Sequence, residues 1–224
     1  MAERAAALAH DLTKAWAFNC QPSRWLHDDW WATLPHAELL RRAARSPRGA
    51  GRIDQWLLAH FRLAGHWVTD FSSPVARCAL LPPPHLEAVV FYAGVTLNHP
   101  AIRRVVLADA VRRLRARIGA EAHDFALTRA AAVLADEQAT LALPRRGDPR
   151  AHLLVSGLCC LGQALAGAPA GLRGRVVLKL PRRWRGVLLH PPALLAGTDC
   201  QGLLRRLVVA LGMGAALGYD EAES

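Results

Sequence analysis

Residues 91–134 read FYAGVTLNHPAIRRVVLADAVRRLRARIGAEAHDFALTRAAAVL, and the spacing of apolar positions in this stretch decides the fold class. Ile102, Val106, Ala110, Leu114 and Ile118 recur every four residues, with Leu107 and Val111 widening the stripe. That is the period of one helix face, not the alternation of a strand. Asn98 or His99 is placed to cap such a helix with Pro100 in its first turn, and Gly119 to stop it. On a helical wheel Arg103 falls inside the apolar arc, between Ala110 and Leu114, so its charge must snorkel out or find an internal acceptor. A structural role is therefore expected for Arg103, whereas Arg104, Arg112 and Arg115 occupy the polar side.

The helical period continues in both directions. Upstream, Leu86, Val89, Val90, Ala93 and Leu97 keep one face, and Leu8, Leu12 and Trp16 mark an N-terminal amphipathic helix. Downstream, Phe125, Leu127, Ala130, Val133 and Leu134 form the inner face of a helix expected over about 121–139. Asp148 before Pro149 opens a helix whose apolar side is Leu154, Leu158, Leu161 and Leu165. Its polar stripe is narrow, so it is expected to be central and buried. Thr198 and Gln201 offer a capping box for a last helix carrying Leu204, Leu207, Val208 and Leu211. The expected class is mainly α, a compact multi-helix domain. The one candidate for a short β-hairpin lies near residues 175–190, where RVVLKLP is followed by the turn-like RRWR and GVLLHPP. The Ser- and Pro-rich loop over about 70–84 divides the chain into an N-terminal helical lobe, 1–70, and a main helical domain, 71–224, unless the two form one continuous domain.

Composition narrows the class of molecule. With 224 residues, 52% hydrophobic and 21% charged, the chain has enough apolar material for a buried core and lacks the polarity of a disordered one. Its formal charge is +10, from 28 Lys+Arg against 18 Asp+Glu, and Lys14 and Lys179 are the lysines. Such a balance suits an acidic partner, anionic lipid or nucleic acid, although arginine pairs also serve as solvated helix faces. The cysteines Cys20, Cys78, Cys159, Cys160 and Cys200 lack the even, regular layout of a disulfide framework, which points to a reducing compartment. Glu3, Arg4, His10 and Asp11 interrupt any secretory signal. Two apolar stretches, 153–172 and 203–219, are broken by Gln163 and Pro169 and by Arg205 and Arg206, so both read as buried helices rather than spans. A cytoplasmic protein is expected.

Motifs for chemistry are wanting. There is no phosphate-cradling loop, zinc-protease motif, nucleophile elbow or spaced cysteine pair in the sequence. His152, Ser156, Cys159 and Gln163 share one helix face, yet His152 and Cys159 would stand ~10 Å apart, beyond nucleophile–base reach. A satisfied polar seam is the better reading. Cys159 and Cys160 diverge around the helix and read as buried thiols, and His27 beside Asp28 and Asp29 lacks further ligands for a metal. No catalytic residue, cofactor or metal is expected. Nucleic-acid binding is the alternative, carried by Arg103, Arg104, Arg112, Arg113, Arg115, Arg117 and RRWR, but no recognition motif accompanies the charge.

The stretch 91–134 resembles the central block of the SctK/YscK family, in which an apolar helix leads to an Ile-Arg-Arg helix and then another. FNCQPSRWLHDDWWATLP at 18–35 is similar to that family's N-terminal block, RCALLPPPHLEAVV at 77–90 to its entry into the central block, and VVLKLP at 176–181 to a late element. The resemblance covers most of 18–181. It implies a non-enzymatic adaptor of the type III secretion sorting platform, at the cytosolic face of the inner membrane. Such an adaptor joins the pod protein SctQ to the cytosolic domain of the ring protein SctD, and reaches SctL and the ATPase indirectly. No specific nucleic acid is implied. Binding energy in such a scaffold concentrates in aromatic and arginine anchors, and the candidates are Trp25, Trp30, Trp31, Arg104 and Trp184. The competing reading for each tryptophan is core packing, and for Arg104 a solvated face.

Overall fold

Helices form along nearly every apolar stripe, and the computed structural model, which describes residues 12–134, 141–144, 147–195, 197–217 and 219, contains no strand among them. In chain order these are α1 (12–20), α2 (Asp28–Trp31), α3 (Ala37–Ala44), α4 (Ala50–His60), α5 (Pro74–Cys78), α6 (Pro83–Arg103) and α7 (Ala108–Ile118). There follow α8 (Ala120–Thr128), α9 (Ala130–Leu134), α10 (Pro149–Ala164), α11 (Ala170–Lys179), α12 (Arg185–Leu189) and α13 (Cys200–Ala210). The chain is mainly α, as expected. It packs as two compact units, one of Met1–Leu86 with Gly167–Arg185 and the other of Glu87–Ala166 with Gly186–Ser224. Each is therefore built from segments distant in sequence.

Local signals explain most helix starts. Asp148 accepts from the Arg150 and Ala151 amides at 3.1 and 3.3 Å, satisfying donors that a first turn leaves orphaned, and Pro149 needs none. Ser73 does the same for α5, ahead of Pro74. Gly119, at φ 98°, ends α7. For α13 the cap is Asp199 rather than Thr198, its carboxylate accepting from the Gly202 amide at 2.9 Å. Gln201 instead donates to the Ala164 carbonyl at 2.8 Å.

The expected helix over 98–118 is corrected. Pro100 lies inside α6, which continues to Arg103, and the register then breaks before α7. A proline cannot bond the carbonyl four residues back, which here belongs to Thr96. The His99 ring does so instead, its Nδ1 lying 2.9 Å from the Thr96 oxygen, so that nitrogen carries the proton. Leu107 is extended, at φ −71° and ψ 126°, and the shared stripe dissolves: Ile102 and Ile118 are buried, while Val106 and Leu107 are 80% and 73% exposed. The next expected helix splits at Arg129 (φ −117°); Leu127, two residues past buried Phe125 on α8 and so on the opposite side, faces outward, and the extension past 134 lies outside the described residues. Leu12 and Trp16 face solvent on α1, while Leu8 lies outside the described residues.

The candidate hairpin near 175–190 is helical, in α11 and α12. Its β-branched pair, Val176 and Val177, is buried in the first unit, and packing of this kind overrides a weak strand propensity. Two cations share α11's buried side. Arg175, 2% exposed, donates to the carbonyls of His66 (2.7 Å), Gly171 (3.1 Å) and Asn19 (3.2 Å). Lys179, also 2% exposed, donates to the carbonyls of Ala79 and Leu81 just past α5, with its Nζ 5.1 Å from the Phe18 ring centre.

Lys179 makes stability depend on pH in a direction that can be checked. Burial pulls its ammonium from the ordinary 10.5 down to about 7. Between those values the unfolded chain holds a proton that the folded chain has released, so stability should rise with pH from 7 to 9, by roughly 1 kcal/mol per unit. Below 7 both states are protonated and the burial cost is complete. Above 9 the Cys78 thiol, which burial pushes up to about 12, acts in the opposite sense. Urea titrations at pH 7, 8 and 9 should show the rise, and Lys179→Met should flatten it; a flat parent profile refutes the assignment.

Candidate partner-binding surfaces

Trp25, Trp30 and Trp31 are 5%, 7% and 4% exposed, so the sequence candidates split sharply between core and surface. All three pack inside the first unit. Trp25 lies tilted at 31° to Phe18, their centres 6.0 Å apart, and Trp30 meets Phe61 edge-on at 6.0 Å. The indole N–H groups are used as well, Trp25 to the Ala17 carbonyl and Trp30 to that of Leu180, at 3.3 and 3.0 Å. Their reading as docking anchors is withdrawn, because an apolar core needs them and solvent does not reach them. Trp184 is half-buried on a short 3-10 turn, with the Arg183 guanidinium 5.9 Å from its ring.

Arg103 and Arg104 are both exposed, at the end of α6. The internal role expected of Arg103 fails because the wheel that placed it among apolar residues assumed one helix over 98–118. Around the same corner stand Val106 and Leu107, the most exposed of the large apolar side chains in the described residues. In the first unit Trp16 and Trp67 are 54% and 60% exposed. None of these four is among the contact candidates read from sequence, where Trp16, Val106 and Leu107 counted as inward helix faces.

The face of α10 that invited catalytic readings is a structural seam. His152 Nε2 lies 3.2 Å from the Asn98 side-chain oxygen, and the Asn98 amide donates to Ser156 Oγ at 3.1 Å and to the Gly94 carbonyl at 2.8 Å. Ser156 in turn donates to the His152 carbonyl. Gln163 donates to the Leu195 carbonyl at 3.0 Å. Burial lowers the His152 pKa and raises that of Cys159, the reverse of what an activated thiolate requires. His27 caps α2, its ring nitrogen accepting from the Asp29 amide at 3.1 Å. Among the described residues no three His, Cys, Asp or Glu side chains are grouped to hold a metal, and no helix is long and apolar enough to cross a membrane.

Two stretches of basic surface belong to the second unit. On α7, Arg112 pairs with Asp109 and Arg115 with Asp124 at 3.1 Å, which reduces the charge available to a phosphate backbone. The second setting is a groove of about 660 Å³ in the second unit, between α9 and α13. Arg129, just before α9, donates to the Ala210 carbonyl at 3.0 Å; Arg206 on α13 donates back to the Val133 carbonyl at 2.7 Å. Arg205 stands 5.9 Å from the ring of Tyr219, which also lines the groove. These residues were missed. The available signal was Arg205 and Arg206 interrupting an apolar helix, but their proximity to Arg129 depends on how α9 and α13 pack.

A protein-family model described as YOP proteins translocation protein K (YscK) matches residues 12–210. No curated protein and no solved structure matches the chain.

Proposed function

Because this chain belongs to the YscK family and is thus a type III secretion protein, we propose that it is a non-enzymatic adaptor of the cytosolic sorting platform. In this reading it links a SctQ-type pod protein to the cytosolic domain of a SctD-type ring protein, at the cytosolic face of the inner membrane. SctL and the ATPase are reached only through SctQ. The observation that carries the proposal is the family match over 12–210, which takes in nearly the whole helical body. The buried polar groups agree with it: the seam on α10 and the cations of α11 are bonded within the fold, so they serve packing rather than turnover.

Arg104 and Trp184 continue as proposed contact residues, joined by Val106 and Leu107, whose exposure is typical of a surface that a partner covers. The purified chain is expected to co-elute with the SctQ homologue and with the SctD cytosolic domain of its own secretion system. Arg104→Glu combined with Leu107→Asp is expected to weaken one of these associations by about tenfold or more while the helical circular-dichroism signal is kept. Failure to co-elute with both folded partners would overturn the proposal.

A further inference from the structure

We infer that the corner between α6 and α7 recognises an acidic segment of a partner protein, one in which carboxylates alternate with leucine-sized apolar side chains. The inference rests on the reading of the chain as a secretion scaffold and states the chemistry that this contact surface selects. Val106 and Leu107 are the most exposed of the large apolar side chains in the described residues, and Arg103 and Arg104 are exposed just before them. Among the described residues neither of these two guanidiniums has a hydrogen bond, an ion pair or a ring contact. Arg112 and Arg115 on α7 differ, being paired with Asp109 and Asp124. From residue 98 to 118 the one carboxylate in the sequence is that of Asp109, so the charge left over at the corner is positive.

The backbone of the corner is held in shape. The Arg104 and Val105 amides donate to the Pro100 and Ile102 carbonyls at 3.3 and 3.1 Å, and the Leu107 carbonyl accepts from the Val111 amide at 2.9 Å, so a partner does not have to order this turn. Buried Ile102 and half-buried Val105 take the inward positions and leave Val106 and Leu107 outside. A planar guanidinium fork matches a carboxylate in pairs of hydrogen bonds, and exposed aliphatic surface favours an apolar cover. A free small anion would meet the charge but leave Val106 and Leu107 in water. Nucleic acid fits less well, because single strands are held by bases stacked on rings, and no Phe, Tyr or Trp occurs from residue 93 to 124. A lipid surface calls for a broad apolar helix face, whereas the exposed side of α7 is alanine, aspartate and arginine. A segment with glutamates spaced around leucines satisfies both the charge and the aliphatic pair.

The test uses the full chain and a short labelled peptide of glutamates interrupted by leucines, read by fluorescence anisotropy. Its glutamine–leucine and glutamate–serine analogues and a labelled oligothymidine serve as comparisons. The glutamate–leucine peptide should bind about tenfold tighter than each of them. Arg103→Gln with Arg104→Gln should weaken it about tenfold, and so should Val106→Ser with Leu107→Ser, which leaves the charges alone. These positions are exposed, so both variants should keep the helical circular-dichroism signal. Arg42→Gln with Arg45→Gln, exposed on α3 in the first unit, makes the same change in net charge and should alter binding less than about twofold. No binding of the glutamate–leucine peptide, equal losses from the two arginine pairs, unchanged affinity in the serine variant, or equal affinity for oligothymidine would each overturn the proposal. So would co-sedimentation with phosphatidylglycerol vesicles that is lost in the Arg103→Gln, Arg104→Gln variant. Binding that appears only after Asp136 and Glu137 are changed to alanine would overturn it too, since the corner would then belong to the chain's own acidic residues. No secretion partner enters this titration, so its failure and a failure to co-elute with SctQ and SctD are separate results.

Discussion

Gly157→Val is expected to abolish cooperative unfolding of the second unit, or to lower its stability by about 4 kcal/mol or more. A Cβ built on Gly157 would overlap the Val90 carbonyl oxygen, and one on Gly94 would overlap the Leu153 carbonyl oxygen. The backbones of α6 and α10 are thus in direct contact, each glycine set against the other helix. Backbone atoms cannot rotate aside as a side chain would, so the two helices must separate along their crossing. Separation exposes the residues that line it: Val90, Leu97, Leu153 and Leu161 are each at most 1% exposed. Overpacking alone costs roughly 1–3 kcal/mol, and loss of dispersion along the crossing adds to it. That total is a large share of the 5–15 kcal/mol typical of a whole domain. Ser156→Ala, the adjacent polar change, should cost only about 1 kcal/mol, since the Asn98 amide keeps its bond to the Gly94 carbonyl. Urea unfolding followed by circular dichroism distinguishes the two. A midpoint for Gly157→Val equal to that of the parent would show that α6 and α10 are not in backbone contact.

The second large effect concerns Arg175. It is the bulkiest of the fully buried side chains among the described residues, and its guanidinium reaches two carbonyls that lie far apart in sequence, that of Asn19 near the end of α1 and that of His66 in the loop after α4. Burial lowers its pKa to about 10, so it stays charged at neutral pH. Arg175→Ala leaves both carbonyls without their donor and opens a cavity, which together should cost about 4 kcal/mol. Arg175→Lys retains the charge but loses the fork, and one ammonium on a shorter stem cannot serve both carbonyls; its cost should be about 2 kcal/mol. The order parent, lysine, alanine in denaturant midpoint is the expected result. A lysine variant as stable as the parent would mean that the charge, not the fork, is what this site requires.

The wheel drawn through 98–118 shows where sequence reasoning holds and where it stops. Leu86, Val89, Val90, Ala93 and Leu97 are all fully buried, as their spacing indicates, because a side chain's direction along an unbroken helix is a local property. The same reasoning fails beyond Arg103, where α6 ends. Pro100 is a helix breaker by its own chemistry, but the His99 ring supplies the missing donor and carries α6 three residues further, shifting every later register. Arg103 therefore moves from the inside of an imagined helix to the surface of a real one. Trp25, Trp30 and Trp31 moved the other way, and their density in sequence is equally compatible with a core and with an interface.

What the sequence by itself determined is the helical class, most of the stripes that face inward, the caps at Asp148 and Gly119, and the family to which the chain belongs. All of these depend on residues near one another in the chain. Only the tertiary structure decided that α11 joins the N-terminal unit, that Gly94 and Gly157 set helix against helix, and that Arg129 meets Arg206 across a groove. The physical reason is common to all three. Each is a contact between segments separated by tens of residues, and neither helical period nor capping chemistry encodes which distant backbone will lie opposite.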